Sequence, residues 1–177
     1  MARKPFKGCQ RKDLKNGLVF PLGLSFKIDG FRCMVYDGRA NSSSAKEFPN
    51  RYTHNIFVKA ASILDGLDGE LCAGKPNDKN LMQQCTSAFN SIEGEPEFHL
   101  WVFDDFSDLS LDFEERYSNY QRRVEEGNDQ LEAMGLPRFL RAVEYRLIRT
   151  QEEYDAMQIE ASELGYEGLY GKSWEGK

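Results

Sequence analysis

Hydrophobic and polar positions alternate in short runs along this 177-residue chain, and longer stretches with helical spacing separate them. Phe26 to Tyr36 reads as two short strands meeting at Asp29-Gly30, a dipeptide favoured in tight hairpins. Asp37-Gly38 reads as a second such turn, followed by a polar loop over Asn41 to Ser44. Pro49-Asn50 opens a helix running through Phe57 and Ala61, since an Asn at this place accepts from the first free amides of a helix. Leu67 to Ala73, after the turn Asp65-Gly66, is predicted as a strand. Lys75 to Gln84 is polar, with a turn at Pro76-Asn77. Phe98 to Phe106 is aromatic enough for a buried strand. Phe113, Tyr117, Tyr120, Val124 and Leu131 give the stretch from Phe113 to Met134 the apolar face of an amphipathic helix. Val143 to Ile148 is a strand. Thr150 with Glu153 fits a capping box, and the helix it starts ends at Leu164-Gly165. A last strand begins near Tyr166. Interspersed strands and helices with short hairpins predict an α+β fold of antiparallel sheets with flanking helices.

This length suits one well-buried domain, here residues 1–177, with a loosely ordered basic arm over residues 1–19. No stretch approaches the roughly 20 apolar residues that cross a bilayer, so no membrane partner is expected. The start, MARKPFKGCQ, is basic but lacks the apolar core of a signal peptide, which predicts a cytoplasmic protein. Cys9, Cys33, Cys72 and Cys85 are scattered without a C-x-x-C pair and are expected as free thiols. His54 and His99 have no triad pattern around them and read as structural or surface residues. The net charge of −6 hides an asymmetry: residues 1–60 carry 12 Lys and Arg against 4 Asp and Glu, whereas residues 61–177 carry 11 against 25. A basic third on an acidic protein makes a surface suited to nucleic-acid phosphates, or simply a solvated charged face.

The sharpest chemical signal is Lys27-Ile28-Asp29-Gly30-Phe31-Arg32, a K-x-D-G-x-R hexapeptide. A lysine beside a tight turn is held by strands, and burial with positive neighbours would lower its pKa and free the amine lone pair for attack on phosphorus. Gly30 permits a turn most residues resist, and Arg32 presents a fork suited to phosphate or ribose.

With three further segments this hexapeptide resembles the covalent nucleotidyltransferases, the family of DNA ligases, RNA ligases and mRNA capping enzymes. The segments are Leu67-Asp68-Gly69-Glu70-Leu71, Trp101-Val102-Phe103-Asp104-Asp105 and Glu167-Gly168-Leu169-Tyr170-Gly171-Lys172, in the family's order. The stretch from Gly94-Glu95-Pro96-Glu97-Phe98 through Phe103-Asp104-Asp105-Phe106, and Glu115-Arg116-Tyr117 after it, look most like ATP-dependent DNA ligases of bacteriophage type. The resemblance implies an ATP-grasp-like adenylation domain that uses ATP and Mg²⁺ to seal nicks in duplex DNA through a lysyl-AMP intermediate. It implies that Lys27 bonds to AMP, the backbone at Phe26 reads adenine, and Arg32 touches ribose or phosphate. Glu70 would hold the ribose hydroxyl, Phe103 would stack on the purine, Glu167 would position the metal, Lys172 would approach the phosphate, and Asp29 would serve the sealing step.

Two departures stand out. Ser43 occupies the place where the family carries an arginine, with Arg39 or Lys46 as candidate substitutes. The chain stops at Lys177, before the family's last lysine motif and its C-terminal OB-fold. A separate polypeptide carrying the OB-fold is one candidate partner. An RNA ligase with the same chemistry, and an inactive module that only binds nucleotide or DNA, are the alternatives.

Overall fold

The computed structural model describes residues 17–175, which form eight strands and four helices. Most of the expected basic arm, and Cys9, lie outside the described residues. The strands are β1 (Leu22–Phe26), β2 (Phe31–Tyr36), β3 (Arg39–Asn41), β4 (Leu67–Cys72), β5 (His99–Asp105), β6 (Leu140–Ala142), β7 (Arg146–Ile148) and β8 (Leu169–Ser173). The helices are α1 (Arg51–Leu64), α2 (Leu81–Asn90), α3 (Phe113–Ala133) and α4 (Gln151–Leu164). The strands form a five-stranded sheet in the order β3-β2-β4-β5-β6 and a three-stranded sheet in the order β7-β1-β8.

The two strands expected to meet at Asp29-Gly30 do not pair. Both edges of β1 are taken by β7 and β8, and both edges of β2 by β3 and β4, so the chain crosses from one sheet to the other over residues 27–30. Gly30 is needed there for a different reason than a turn. A Cβ on it would lie 2.7 Å from the Leu71 carbonyl oxygen and 2.8 Å from Cys72 Sγ, so only a bare backbone passes β4 this closely. The second predicted turn is a true hairpin: Asp37 and Gly38 both have positive φ, 52° and 76°, and join β2 to β3.

All strand pairs are antiparallel except β5–β6, which is parallel. The exception has a simple cause, because parallel neighbours need a crossover and α3 supplies it. The expected strand over Val143 to Ile148 is narrower than read. Val143 still donates to the Val102 carbonyl beside β5, and only Arg146–Ile148 joins the other sheet. The chain therefore changes sheets a second time here. Helix α2 was not anticipated; its buried residues Leu81, Cys85 and Phe89 recur every four positions inside an otherwise polar stretch.

Asn50 caps α1 as expected, accepting from Thr53 N and from the Thr53 hydroxyl while donating to the Ser91 carbonyl. Asp112 and Glu115 form a full capping box on α3. Thr150 caps α4, where Glu153 reaches one residue further back than a capping box does, to Arg149 N, and Gly165 ends the helix at φ 92°. The main core lies between the five-stranded sheet and α1, α2 and α3, built on Phe57, Leu71, Phe89, Leu100, Val102, Phe113, Tyr120 and Phe139. A second cluster of Leu24, Ile148, Tyr154 and Met157 fixes α4 to the three-stranded sheet. Each sheet thus has a helix-covered face, and the crossing at residues 27–30 brings the ends of both together.

Candidate active site

Lys27 is the first residue of that crossing. Its amide donates to the Gly168 carbonyl at 3.0 Å, extending the β1–β8 ladder by one step and drawing Glu167 beside it. The Lys27 amine donates to Asp29 Oδ1 at 2.7 Å, and about a third of each side chain remains exposed. That exposure leaves the amine both held and reachable. Phe26 pairs with Leu169 on one edge, whereas the β1–β7 ladder stops at Leu24, so the other edge of the Phe26 backbone lies outside it.

Strand register supplies the next group. Arg32 on β2 stands opposite Glu70 on β4, which stands opposite Trp101 on β5, and cross-strand partners share a sheet face. Arg32 makes two bonds to Asp68, Nε to Oδ1 at 2.7 Å and Nη2 to Oδ2 at 2.6 Å, and its guanidinium lies 4.9 Å from the centre of the Phe103 ring. Asp68 is fully buried, and burial pushes its carboxyl up to about 6 against the opposing pull of Arg32. Glu70 makes no side-chain hydrogen bond to another described residue. Burial, against the pull of Arg32 and with Asp68 and Asp29 adding to it, pushes Glu70 up to about 8. Gly69 must be glycine because a Cβ there would meet the Trp101 carbonyl oxygen at 2.4 Å.

Strand β8 brings the third group. Lys172 is buried and donates to Asp104 Oδ2, while Arg116 from α3 donates to Asp104 Oδ1 at 2.8 Å. Desolvation holds the Lys172 amine below the usual lysine range in spite of Asp104. Tyr170, two residues earlier, packs against Phe103 with ring centres 5.6 Å apart and planes tilted by 54°.

The structure therefore brings together Lys27, Asp29, Glu70 and Glu167, whose charges all act on the Lys27 amine, and ties Arg32, Phe103 and Lys172 into one connected network beside them. Lys27 itself departs from expectation. The hydrogen bond to Asp29, and then the charges of Asp29, Glu167 and Glu70, raise its pKa more than burial lowers it. Positive neighbours were expected, and carboxylates are found. Phe103 carries Arg32 and Tyr170 against its ring, so a purine would have to displace one of them. Arg39 bonds to Glu47 at 2.5 Å and to Asn41, and Ser43 lies exposed in the turn that Ser42 and Lys46 close.

Sequence reasoning passed over Asp68, Asp104 and Arg116, the charged partners that hold Arg32 and Lys172. Asp68 and Asp104 lie inside matched segments, and their signal was an acidic residue on a buried strand, which demands a cation. Among the described residues no group of three or more His, Cys, Asp or Glu is placed to hold a metal ion. Glu167 is one exposed carboxylate, a fit for an ion that takes one or two protein oxygens and completes its shell with substrate phosphates. Cys33, Cys72 and Cys85 are buried free thiols. No described helix is long and apolar enough to cross a membrane. A cleft of about 730 Å³ lies beside Phe26 and Ile28 and is lined also by Trp101, Arg146 and Tyr166, but none of Lys27, Asp29, Arg32, Glu70, Phe103, Glu167 or Lys172 lines it.

A comparison with family models and a sequence comparison with curated proteins find no match. The fold is that of solved DNA ligases. The chlorella virus DNA ligase-adenylate superposes with a TM-score of 0.72 at 20% identity, over 90% of this chain and 57% of that one. A Lig E DNA ligase gives 0.65 at 16% identity, over 88% and 56%. The ATP-dependent DNA ligase of bacteriophage T7, in complex with ATP, gives 0.58 at 15% identity, over 88% and 57%. This chain thus spans a little over half the length of these ligases.

Proposed function

We propose that this chain is the adenylation domain of an ATP-dependent DNA ligase, with Lys27 carrying AMP toward a nick in duplex DNA. The observation that carries the reading is the meeting of Lys27, Asp29, Glu70 and Glu167 where the two sheets join, on a fold shared with a ligase-adenylate and a ligase–ATP complex. In this reading the neutral Lys27 amine attacks the α-phosphorus of ATP. A P–N bond forms, the bond to the β-phosphate oxygen breaks, pyrophosphate leaves and the amine loses one proton. Arg32 leaves Asp68 for ribose or phosphate, Glu70 accepts from a ribose hydroxyl, and the open backbone edge at Phe26 reads the adenine. Phe103 offers its ring to the purine, a contact worth about 0.5–1.5 kcal/mol beyond area burial. Lys172 answers the phosphate charge. Glu167 would hold Mg²⁺ with the ATP phosphates, and the ion supplies charge neutralisation on the leaving pyrophosphate. AMP then passes to a 5′-phosphate, and the 3′-hydroxyl displaces it with Asp29 assisting. Sealing needs a grip on the duplex, for which we propose an OB-fold module, including one on a separate polypeptide.

Transfer of label from α-labelled ATP to the protein tests the first step. Label that appears with Mg²⁺ and disappears in Lys27→Ala supports the reading, and no label on the folded wild type refutes it. Nicked DNA and nicked RNA offered separately test the substrate, and preference for RNA replaces DNA ligase with RNA ligase. One observation favours a second reading, nucleotide binding without transfer: the Lys27 amine is bonded to Asp29 and held protonated. Saturable ATP binding without label transfer at any pH would establish it.

A further inference from the structure

The sheets are joined a second time where the chain leaves β6 and enters β7. The parallel ladder of β5 and β6 ends at Val102 opposite Ala142, and the ladder of β1 and β7 ends at Leu24 opposite Arg146. Phe103 and Ser25 lie one residue past those ends, and Tyr145 belongs to the short segment between the two ladders. The Tyr145 hydroxyl donates to the Phe103 carbonyl at 3.3 Å. The buried Ser25 hydroxyl completes the bridge by donating to the Tyr145 oxygen, whose own proton is already given to Phe103. Burial holds the Tyr145 hydroxyl well above its usual range, so it keeps that proton near neutral pH. Helix α3 fastens the same segment: the Tyr120 hydroxyl donates to the Val143 carbonyl at 2.6 Å, and the Tyr145 amide donates to the Tyr117 hydroxyl at 3.2 Å. The Val143 amide donates to the Val102 carbonyl at 2.9 Å, and the Tyr145 ring meets Phe113 edge-on with ring centres 4.7 Å apart.

We infer that Tyr145 is a positioning residue whose hydroxyl fixes the gap between the strand that carries Lys27 and the strand that carries Phe103. Ser25 is two residues before Lys27, so a shift of β1 against β5 moves the amine relative to the ring. Backbone pairing does not set that gap, because β1 and β5 belong to different sheets. A buried hydroxyl with a partner on each strand does, because sliding either strand would leave a buried polar group unpaired. Attack on phosphorus needs the amine in line with the leaving group, and a misplacement of about 1 Å costs about a hundredfold in rate. The proposal rests on the nucleotide reading above, since the gap matters to chemistry only when a nucleotide spans Lys27 and Phe103.

The test takes the full chain with its Tyr145→Phe variant, which keeps the ring and removes only the hydroxyl, and with Ser25→Ala and the double variant. Circular dichroism and thermal melting check folding. Two things are read: label transfer from α-labelled ATP, split into saturated rate and ATP affinity, and hydrogen exchange at the Val143 amide. In Tyr145→Phe the saturated rate falls about tenfold to a hundredfold while ATP affinity stays within about threefold. The Val143 amide exchanges faster in the same variant. Ser25→Ala moves both readings the same way, and the double variant loses no more than the larger single loss, because one bridge is removed in each case. A folded Tyr145→Phe with the wild-type rate overturns the proposal, whatever its melting temperature. So does lost affinity with the rate kept, a slower rate with Val143 exchange unchanged, or single losses that add in the double variant. Ser25→Ala judges the proposal in the same way should Tyr145→Phe fail to fold. Wild-type protein that takes no label refutes the nucleotide reading instead, and Val143 exchange then decides the joint alone.

Discussion

Replacing Asp29 by Asn moves the charge that most strongly sets the state of the proposed nucleophile. The Asp29 carboxylate accepts from the Lys27 amine at 2.7 Å and stabilises its protonated form, which raises the pKa. Attack on phosphorus requires the neutral form, so below that pKa the self-adenylylation rate climbs about tenfold per pH unit. Removing the negative charge lowers the pKa and enlarges the neutral fraction at a given pH. Because about a third of each side chain is exposed, solvent screens the pair, and such pairs are worth about 0.2–1 kcal/mol. That energy corresponds to about 1.4- to 5-fold more neutral amine, well short of what the short contact alone suggests. Single-turnover label transfer from α-labelled ATP, followed from about pH 8 to about pH 12 so that the profile bends at the raised Lys27 pKa, reads this directly. Asp29→Asn should displace the profile toward lower pH by that factor. Any other role of Asp29 in the step lowers the plateau and leaves the displacement visible. A profile that stays in place, or moves toward higher pH, refutes the claim that Asp29 governs the protonation of Lys27.

Three further outcomes are expected. Glu70, pushed by burial to about 8, binds its proton more tightly folded than unfolded, so between the ordinary carboxyl range and about pH 8 its contribution to stability falls as pH rises. Glu70→Gln should therefore gain on wild type in thermal melting between pH 5 and pH 8, by about 1 kcal/mol or more, and a constant gap would contradict it. Gly30→Ala forces a methyl group against the Leu71 carbonyl oxygen and Cys72 Sγ, and should cost about 1–3 kcal/mol in urea unfolding while slowing label transfer. Asn50→Ala removes the cap of α1 and its bond to the Ser91 carbonyl, and should cost about 2 kcal/mol with the affinity for ATP unchanged.

Local chemistry decided much of this protein before any tertiary contact. An Asn that caps its own helix, an Asp-Gly pair that accepts positive φ and a Thr ahead of an amphipathic run act over a few residues, so α1, the β2–β3 hairpin and α4 were all legible. The composition of the candidate site was legible too, since Lys27, Glu70, Phe103, Glu167 and Lys172 lie in short segments of recognisable chemistry. What no segment contains is its partner. Asp29-Gly30 has the composition of a hairpin, yet β1 and β2 part because both edges of each are taken by other strands, and Gly30 is required by Leu71 of β4, 41 residues further along the chain. The charge around Lys27 was misjudged although its largest source, Asp29, lies in the same segment; Glu167 before β8 and Glu70 on β4 add to it only because the sheets meet there. Helix capping and turn conformation act over a few residues and can be read along the chain. Electrostatics in a buried joint depends on which strands meet there, and only the assembled sheets set that.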